Sequence, residues 1–299
     1  MSRNGFRSRR WLVGLVAGLM LVVAVGVGGV HRFLHIPTLP LPESVSLRTV
    51  KVRLTDKVVA VDCYLPTEAL TAPVVVVAHG FSRNRQTMAG WGGLLAADGF
   101  IAVVPNLPAW ADHPRNGHAL VELLAAVTAE KLFQQPKPMG RAALVGFSAG
   151  GASSLLAAAG NPNVAGWVGL DPVGLGREVG QAAKTLDIPC FALRAEPAPW
   201  NASGNARQIF AALPGPALSL VVNGATHVDA EHPTSRAAEW ACGRTDPARR
   251  AVFGRYLLAS LRAALLGDEL AFQQLATATN DLAVHEVEFR RPEAFRLSH

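Results

Sequence analysis

The sequence predicts an α/β fold, with one mostly parallel sheet of about eight strands and helices on both faces. The chain has 299 residues, of which 50% are hydrophobic and 17% are charged. A chain of this length and composition buries a large core, which excludes a disordered or fibrous protein. Short apolar runs alternate with longer amphipathic segments, a pattern typical of parallel strands that are buried on both faces. No internal repeat or charge run marks a second domain.

Eight apolar runs predict the strands. They cover residues 50–54, 58–65, 74–78, 100–104, 142–145, 164–170, 190–193 and 218–222. The first two runs are separated by Thr55-Asp56-Lys57 and predict an antiparallel hairpin. Helices are predicted over residues 86–97, 119–133, 149–159, 176–185, 205–213 and 248–266. Because ligands on such a sheet collect at the carboxyl ends of the strands, the residues that follow each run are the candidates for chemistry.

The amino terminus predicts export. Residues 11–30 form an uninterrupted run of apolar residues and glycines, preceded by the arginine-rich stretch 2–10. A helix of twenty such residues spans a bilayer, and the arginines hold its preceding end in the cytoplasm. Residues 8–13 also resemble a twin-arginine export signal. The absence of a good Ala-x-Ala site favours an uncleaved membrane anchor over a removed signal peptide within residues 1–32. The domain that follows is expected outside the cytoplasm, and it is secreted or periplasmic if the segment is cleaved.

The rest of the chain predicts one nearly neutral domain. Prolines at positions 37, 40 and 42 predict an extended stalk over residues 33–48, followed by the folded domain over 49–268 and a carboxyl-terminal extension without an assigned role over 269–299. Five arginines within residues 1–32 contribute five of the six net positive charges, which leaves +1 for the remainder. No basic patch interleaved with aromatic residues follows, so we expect no nucleic-acid partner.

A serine in a glycine-rich turn is the first candidate for chemistry. Gly146-Phe147-Ser148-Ala149-Gly150 lies between the predicted strand 142–145 and a predicted helix. Gly-x-Ser-x-Gly in this context lifts the serine hydroxyl above the sheet on a strained turn, although a turn that only packs tightly is the alternative. The pattern predicts Ser148 as a nucleophile. The amide of Ala149, at the start of the helix, is predicted to bind the oxyanion formed at the same site.

A second oxyanion donor is predicted in the loop after residues 74–78. There, Gly80 in His79-Gly80-Phe81 lets the backbone turn so that the amide of Phe81 faces the site. We expect His79 itself to be a structural histidine that hydrogen-bonds the loop. Phe81, Trp110 and Trp200 follow predicted strands, and they either line an acyl or aryl pocket or belong to the core.

The general base is predicted at His227, in the loop after the strand 218–222 and after the serine in chain order. Asp229 and His232 lie nearby, but no further ligand cluster accompanies them, so neither a metal nor another cofactor is predicted. Cys63, Cys190 and Cys242 match no metal-ligand spacing and specify no disulfide pairing.

Two carboxylates compete for the role of the acid that orients the base. Asp171 follows the strand 164–170, and Glu196 follows the next strand, 190–193. Both are expected at the same sheet edge and lie between Ser148 and His227 in chain order. A carboxylate at this position holds the imidazole in the correct tautomer and stabilises its protonated form. Nearby, Asn201-Ala202-Ser203 matches a glycosylation sequon, to which we assign no further role.

Several of these segments together resemble the chlorophyllase and platelet-activating-factor acetylhydrolase branch of the α/β-hydrolases, with bacterial cutinase-like polyester hydrolases as neighbours. They are His79-Gly80-Phe81, residues 98–104, the serine turn, Asp171-Pro172-Val173 and Gly224-Ala225-Thr226-His227, and the resemblance covers about residues 50–266. It implies the α/β-hydrolase fold and the cleavage of carboxylic esters through an acyl-enzyme. It also favours Asp171 as the acid, whereas the cutinase-like enzymes would select Glu196.

The resemblance leaves the substrate open. The short stretch between Asp171 and His227 leaves little room for insertions around a large pigment, so a shallow, open site without a lid domain is expected. The substrate is expected to be a small or polymeric ester. An acyltransferase that uses the same residues is an alternative function, and a non-catalytic binding protein with this fold is another.

Overall fold

A mostly parallel sheet forms the centre of the protein, in a computed structural model that describes residues 32–174 and 176–291. The strands are β1 (Val45–Leu54), β2 (Lys57–Pro66), β3 (Thr71–Ala78), β4 (Ile101–Pro105), β5 (Lys137–Phe147), β6 (Val164–Leu170), β7 (Cys190–Arg194), β8 (Ala217–Val222) and β9 (Val284–Arg290). Their order in the sheet is β1-β2-β4-β3-β5-β6-β7-β8-β9. The strands from β4 to β8 are parallel, whereas β1, β2 and β9 pair antiparallel with their neighbours. The predicted fold class is confirmed.

Helices cover both faces of this sheet. They are α1 (Ala89–Ala97), α2 (His113–Thr128), α3 (Ala149–Ala158), α4 (Gly176–Ala183), α5 (Ala206–Ala212), α6 (Arg236–Cys242), α7 (Pro247–Leu266) and α8 (Glu269–Ala276). Side chains of α1, α7 and α8 pack in the core on one face, and those of α2 to α5 pack in the core on the other. On β3, Val75 and Val77 face the first core while Val74 and Val76 face the second. Successive side chains alternate across a strand, so a strand buried on both faces is a continuous apolar run.

The hairpin is confirmed, but its first strand begins earlier than predicted. β1 and β2 pair from Val45↔Pro66 to Leu54↔Lys57. β2 therefore provides pairing partners for residues that precede the apolar run 50–54. As a result, β1 begins at Val45, inside the predicted stalk 33–48. The remaining proline-rich residues lie against the domain, where Ile36 to Pro42 line a cavity of about 480 Å³ together with residues of β2 and α1. The predicted stalk 33–48 therefore overlaps β1 from Val45 onward, and residues that precede β1 line a cavity on the surface of the domain.

The predicted helices are present with shifted ends. α2 begins at His113 rather than at residue 119, because the Asp112 side chain accepts a hydrogen bond from the amide of Arg115 at 2.9 Å and Pro114 fits the first turn. α6 and α8 were not predicted from the sequence. Both begin with a capping side chain: Ser235 accepts the amide of Ala238, and Asp268 accepts the amides of Leu270 and Ala271.

The sheet of the described residues has nine strands, one more than the eight apolar runs that predicted it. β9 pairs antiparallel with β8, from Ala217↔Arg290 to Val222↔Val284. Its sequence mixes apolar residues with polar and charged ones, as suits an edge strand with an exposed side, so no continuous apolar run marks it. Since α8 also buries Phe272 and Leu275 in the core, residues 269–291 belong to the domain and are not an extension of it.

The predicted membrane segment, residues 11–30, lies outside the described residues. Within 32–174 and 176–291, no helix has the length and apolar character needed to cross a membrane.

Candidate active site

Ser148 lies on a strained turn between β5 and α3. Its backbone has φ 53° and ψ −123°, a conformation that L-residues rarely adopt. The turn is tight enough to require the glycines on either side. A Cβ atom at Gly146 would lie 2.3 Å from the Gly150 carbonyl oxygen, and one at Gly150 would lie 2.4 Å from the His79 carbonyl oxygen. The motif therefore places the serine where strand, helix and the loop after β3 meet.

The structure brings Ser148, His227 and Asp171 together. Nε2 of His227 lies 2.9 Å from Oγ of Ser148, and Nδ1 of His227 lies 2.6 Å from Oδ2 of Asp171. All three side chains are buried, and they follow β5, β8 and β6 at one edge of the sheet. In this arrangement the imidazole can accept the serine proton at Nε2 while the carboxylate receives the hydrogen bond from Nδ1–H.

Further hydrogen bonds hold the Asp171 carboxylate. The amide of Ala195 donates to Oδ1 at 3.0 Å, and Nδ2 of Asn201 donates to Oδ2 at 3.1 Å. The same Nδ2 donates to the carbonyl of Glu196 at 2.9 Å. Asn201 is buried, so its sequon cannot carry a glycan in the folded domain. Sequence reasoning missed this contact. Its one sequence signal is an asparagine in the loop after β7, the strand beside the one that ends at Asp171.

Glu196, the alternative acid, lies in a different set of contacts. Oε1 accepts the amide of Gly224 at 3.0 Å, and Oε2 lies 3.6 Å from Nε2 of His285 on β9. The side chain is 40% exposed, and it makes no hydrogen bond or ion pair with His227 in the described part of the chain. Glu196 thus joins the loop after β7 to the loop after β8 and to β9.

The two predicted oxyanion donors flank Ser148. Within residues 32–174 and 176–291, no backbone or side-chain acceptor binds the amide of Phe81 or that of Ala149. The Gly80–Phe81 peptide lies beside the serine, because a Cβ atom at Gly80 would be 3.0 Å from Cβ of Ser148. Ala149 begins α3, so its amide is one of the helix N–H groups without an intrahelical acceptor. Both amides are available to a developing oxyanion.

His79 orients one of these donors. The amide of Leu107 donates to Nε2 at 3.0 Å, so the proton of the neutral ring is on Nδ1, which donates to the carbonyl of Gly80 at 2.9 Å. The amide of Arg83 donates to the same carbonyl at 3.2 Å. The Gly80 carbonyl and the Phe81 N–H belong to one trans peptide and point in opposite directions. Holding the carbonyl therefore directs the N–H, and His79 is a positioning residue.

Acidification should destabilise the protein through His79. Burial lowers the pKa of His79 from 6.5 to about 4. Between these values the unfolded chain binds a proton that the folded protein does not bind. The contribution of His79 to the free energy of unfolding is therefore fully present above pH 6.5. It decreases as the pH approaches 4, by up to about 3 kcal/mol. We expect His79→Gln, which keeps one donor and one acceptor, to lose less melting temperature between pH 7 and pH 4 than wild type. Equal losses, measured by thermal unfolding, would contradict this assignment.

A cavity of about 560 Å³ opens onto Ser148 and His227. Phe81, Trp200, Leu34 and Ile36 line it, together with residues of α6. The expectation of a shallow, open site missed two of its walls, the amino-terminal segment and α6, because neither is adjacent to the site in sequence. Trp110 lies outside this cavity and lines a smaller one of about 70 Å³ on the side of Ala149.

The three aromatic candidates are surface residues. Phe81 is 46% exposed, Trp110 is 72% exposed and Trp200 is 51% exposed, so the alternative that they belong to the core was wrong. The rings of Phe81 and Trp110 pack at a centroid distance of 4.5 Å.

Buried ion pairs hold the loops around the site. Nε of Arg83 lies 2.6 Å from Oε2 of Glu231. The other carboxylate oxygen of Glu231 accepts a hydrogen bond from the hydroxyl of Thr234. This pair links the loop after β3 to the segment after His227. Burial raises the pKa of Glu231, and the charge of Arg83 opposes that shift.

Asp229 holds the loop of His227 in a similar way. Its carboxylate accepts the amides of Thr226 and Asp246 at 2.8 and 2.7 Å and pairs with Nε of Arg249 at 2.8 Å. Among the described residues, no group of three His, Cys, Asp or Glu side chains is placed to hold a metal ion.

Comparison with known proteins agrees with this architecture. The model of the alpha/beta hydrolase family matches residues 75–294, a range that includes β4 to β9 together with Ser148, Asp171 and His227. None of the curated proteins matches the sequence. The match covers more than two thirds of the chain, and the protein belongs to the alpha/beta hydrolase family.

Proposed function

We propose that the protein is a serine esterase that cleaves carboxylic esters through an acyl-enzyme intermediate on Ser148. The observation that carries this proposal is the chain of short contacts from Asp171 through His227 to Ser148, at 2.6 and 2.9 Å. The amides of Phe81 and Ala149 beside it supply the donors that a tetrahedral oxyanion needs. The resemblance to chlorophyllases and platelet-activating-factor acetylhydrolases supports ester chemistry.

In the first half-reaction, Nε2 of His227 takes the Ser148 proton as Oγ attacks the ester carbonyl. The two amides stabilise the oxyanion, and Asp171 stabilises the imidazolium. The imidazolium then donates its proton to the departing alkoxide, which leaves the acyl group on Oγ. In the second half, His227 deprotonates a water that attacks the acyl-enzyme. Proton return to Ser148 releases the carboxylic acid, and the cycle requires no cofactor.

The cavity indicates which esters suit this chemistry. Leu34, Ile36, Phe81 and Trp200 present apolar surface, which favours an ester with an apolar acyl or aryl group. The chain after residue 32 carries a net charge of only +1, which suits a neutral substrate. We further propose that residues 11–30 anchor the enzyme in a membrane with the domain outside the cytoplasm.

Labelling with a fluorophosphonate and product analysis test this proposal. We expect one fluorophosphonate per chain and hydrolysis of p-nitrophenyl butyrate to butyric acid. Absence of both labelling and turnover would leave a binding protein with a hydrolase fold. The same assay with added alcohol separates the acyltransferase alternative, because a transferase would release mainly the new ester and little free acid.

A further inference from the structure

We propose that the mouth of the active-site cavity docks on a lipid bilayer, so that the enzyme takes its ester from the membrane rather than from solution. This inference rests on the proposed function and specifies its substrate class. The substrates would be esters with long, apolar acyl chains that reside in a bilayer.

Exposed aromatic side chains cluster around the cavity. The mouth aromatics, as we call them, are Phe33, Phe81, Trp110, Trp200 and Trp240, which are between 39% and 83% exposed. Two of them line the cavity directly, and the ring of Trp110 packs on that of Phe81. Phe33 and Trp240 contact each other edge to face at 6.5 Å, and each is adjacent in sequence to a lining residue.

No other exposed large aromatic side chain occurs in the described part of the chain. Both tyrosines are buried, and so are Trp91 and Trp167. A contiguous apolar surface that folding leaves uncovered marks an interaction site. Tryptophan in particular is enriched where a membrane meets water, because its ring is apolar and its N–H is polar. The composition of the mouth therefore fits a bilayer surface.

The amino-terminal connection indicates the same partner. Leu34 and Ile36 line the cavity, and the predicted membrane span ends at Val30. Four residues of extended chain reach at most about 14 Å. If residues 11–30 cross a membrane, the cavity wall at Leu34 must lie within that distance of the end of the span. The bilayer is then the surface closest to the mouth, which favours it over a partner protein.

The charges of the mouth do not oppose this contact. Among the described residues, no acidic side chain lines the cavity, and Arg83, which does line it, is paired with the buried Glu231. A phospholipid headgroup region therefore meets no carboxylate along the lining. Leu34, Ile36 and Trp200 line the same cavity as Ser148, so an acyl chain that enters from the bilayer meets apolar side chains there.

The test compares two esters with the full-length protein reconstituted in phosphatidylcholine vesicles. p-Nitrophenyl butyrate is supplied in the aqueous phase, and p-nitrophenyl palmitate is incorporated in the vesicles. The variant combines Phe33→Ser with Trp240→Ser, at two residues that do not line the cavity. We expect butyrate turnover within twofold of wild type and at least a tenfold loss of palmitate turnover. Leu70→Ser is the matched control. Leu70 is 78% exposed and precedes the amino-terminal end of β3, whereas the active site lies at the carboxyl ends of the strands. Neither activity should change in this variant.

A spectroscopic measurement locates the mouth independently. In full-length Trp11→Phe protein, brominated phosphatidylcholine should quench the emission of the exposed tryptophans, since Trp91 and Trp167 are buried. Equal palmitate turnover in the variant and wild type, or absence of quenching, would overturn the docking proposal. If wild type hydrolyses neither ester, the esterase proposal itself fails. Butyrate turnover in the variant also reports that it is folded.

Discussion

Ser148→Ala should abolish measurable ester turnover while the domain stays folded. Loss of the attacking oxygen removes the acyl-enzyme, and we expect kcat to fall by about 10⁴ to 10⁶. The fold should tolerate the change because alanine keeps the Cβ atom, so the strain of the turn at φ 53° is the same in both proteins. In the described part of the chain, Oγ of Ser148 hydrogen-bonds only to His227. Its removal therefore leaves no other buried group unpaired.

The measurement is kcat for p-nitrophenyl butyrate together with the melting temperature. Ser260→Ala on α7 is a suitable control, because it removes a buried hydroxyl that has no hydrogen-bond partner among the described residues and does not line the cavity at Ser148. That variant should keep full activity. If Ser148→Ala retained the wild-type rate at an unchanged melting temperature, the nucleophile would have to be another residue.

Asp171→Asn should cause the second-largest loss, about 10⁴ in kcat. The substitution preserves the shape of the side chain but removes the charge that stabilises the imidazolium of His227. Its amide also presents a donor where Nδ1–H of His227 needs an acceptor, which favours the wrong tautomer of the ring. Glu196→Gln, by contrast, keeps an oxygen that can accept the amide of Gly224, and we expect less than a threefold change.

The two variants are compared by kcat/KM on the same ester and by thermal unfolding. The structural difference between the carboxylates predicts the ranking. Asp171 lies 2.6 Å from Nδ1 of His227 and is buried, whereas Glu196 is 40% exposed and contacts Gly224 and His285. A larger loss in Glu196→Gln than in Asp171→Asn would identify Glu196 as the acid and reverse our assignment.

Much of the fold could be predicted because its signals are local. Continuous apolar runs mark strands buried on both faces, and all eight predicted runs became strands. β9 was not predicted, because an edge strand with an exposed side lacks such a run. α6 was not predicted, because it is only seven residues long and has one buried side chain, that of Ala238. The cavity wall formed by Leu34 and Ile36 was not predicted for another reason. The sequence of residues 33–42 does not indicate which surface of the domain these residues cover.

The sequence by itself determined the fold class and the candidate nucleophile, because strand periodicity and the glycines around Ser148 are properties of a few adjacent residues. The tertiary structure alone decided which carboxylate contacts His227. Asp171 and Glu196 follow β6 and β7, which are adjacent parallel strands, so chain order places both at the same sheet edge. The two carboxylates differ in the direction of their side chains and in their hydrogen-bond donors. Asp171 accepts a hydrogen bond from Asn201, and Glu196 accepts one from the amide of Gly224. Such contacts join residues about 30 positions apart, and a pattern read along the chain does not contain those distances.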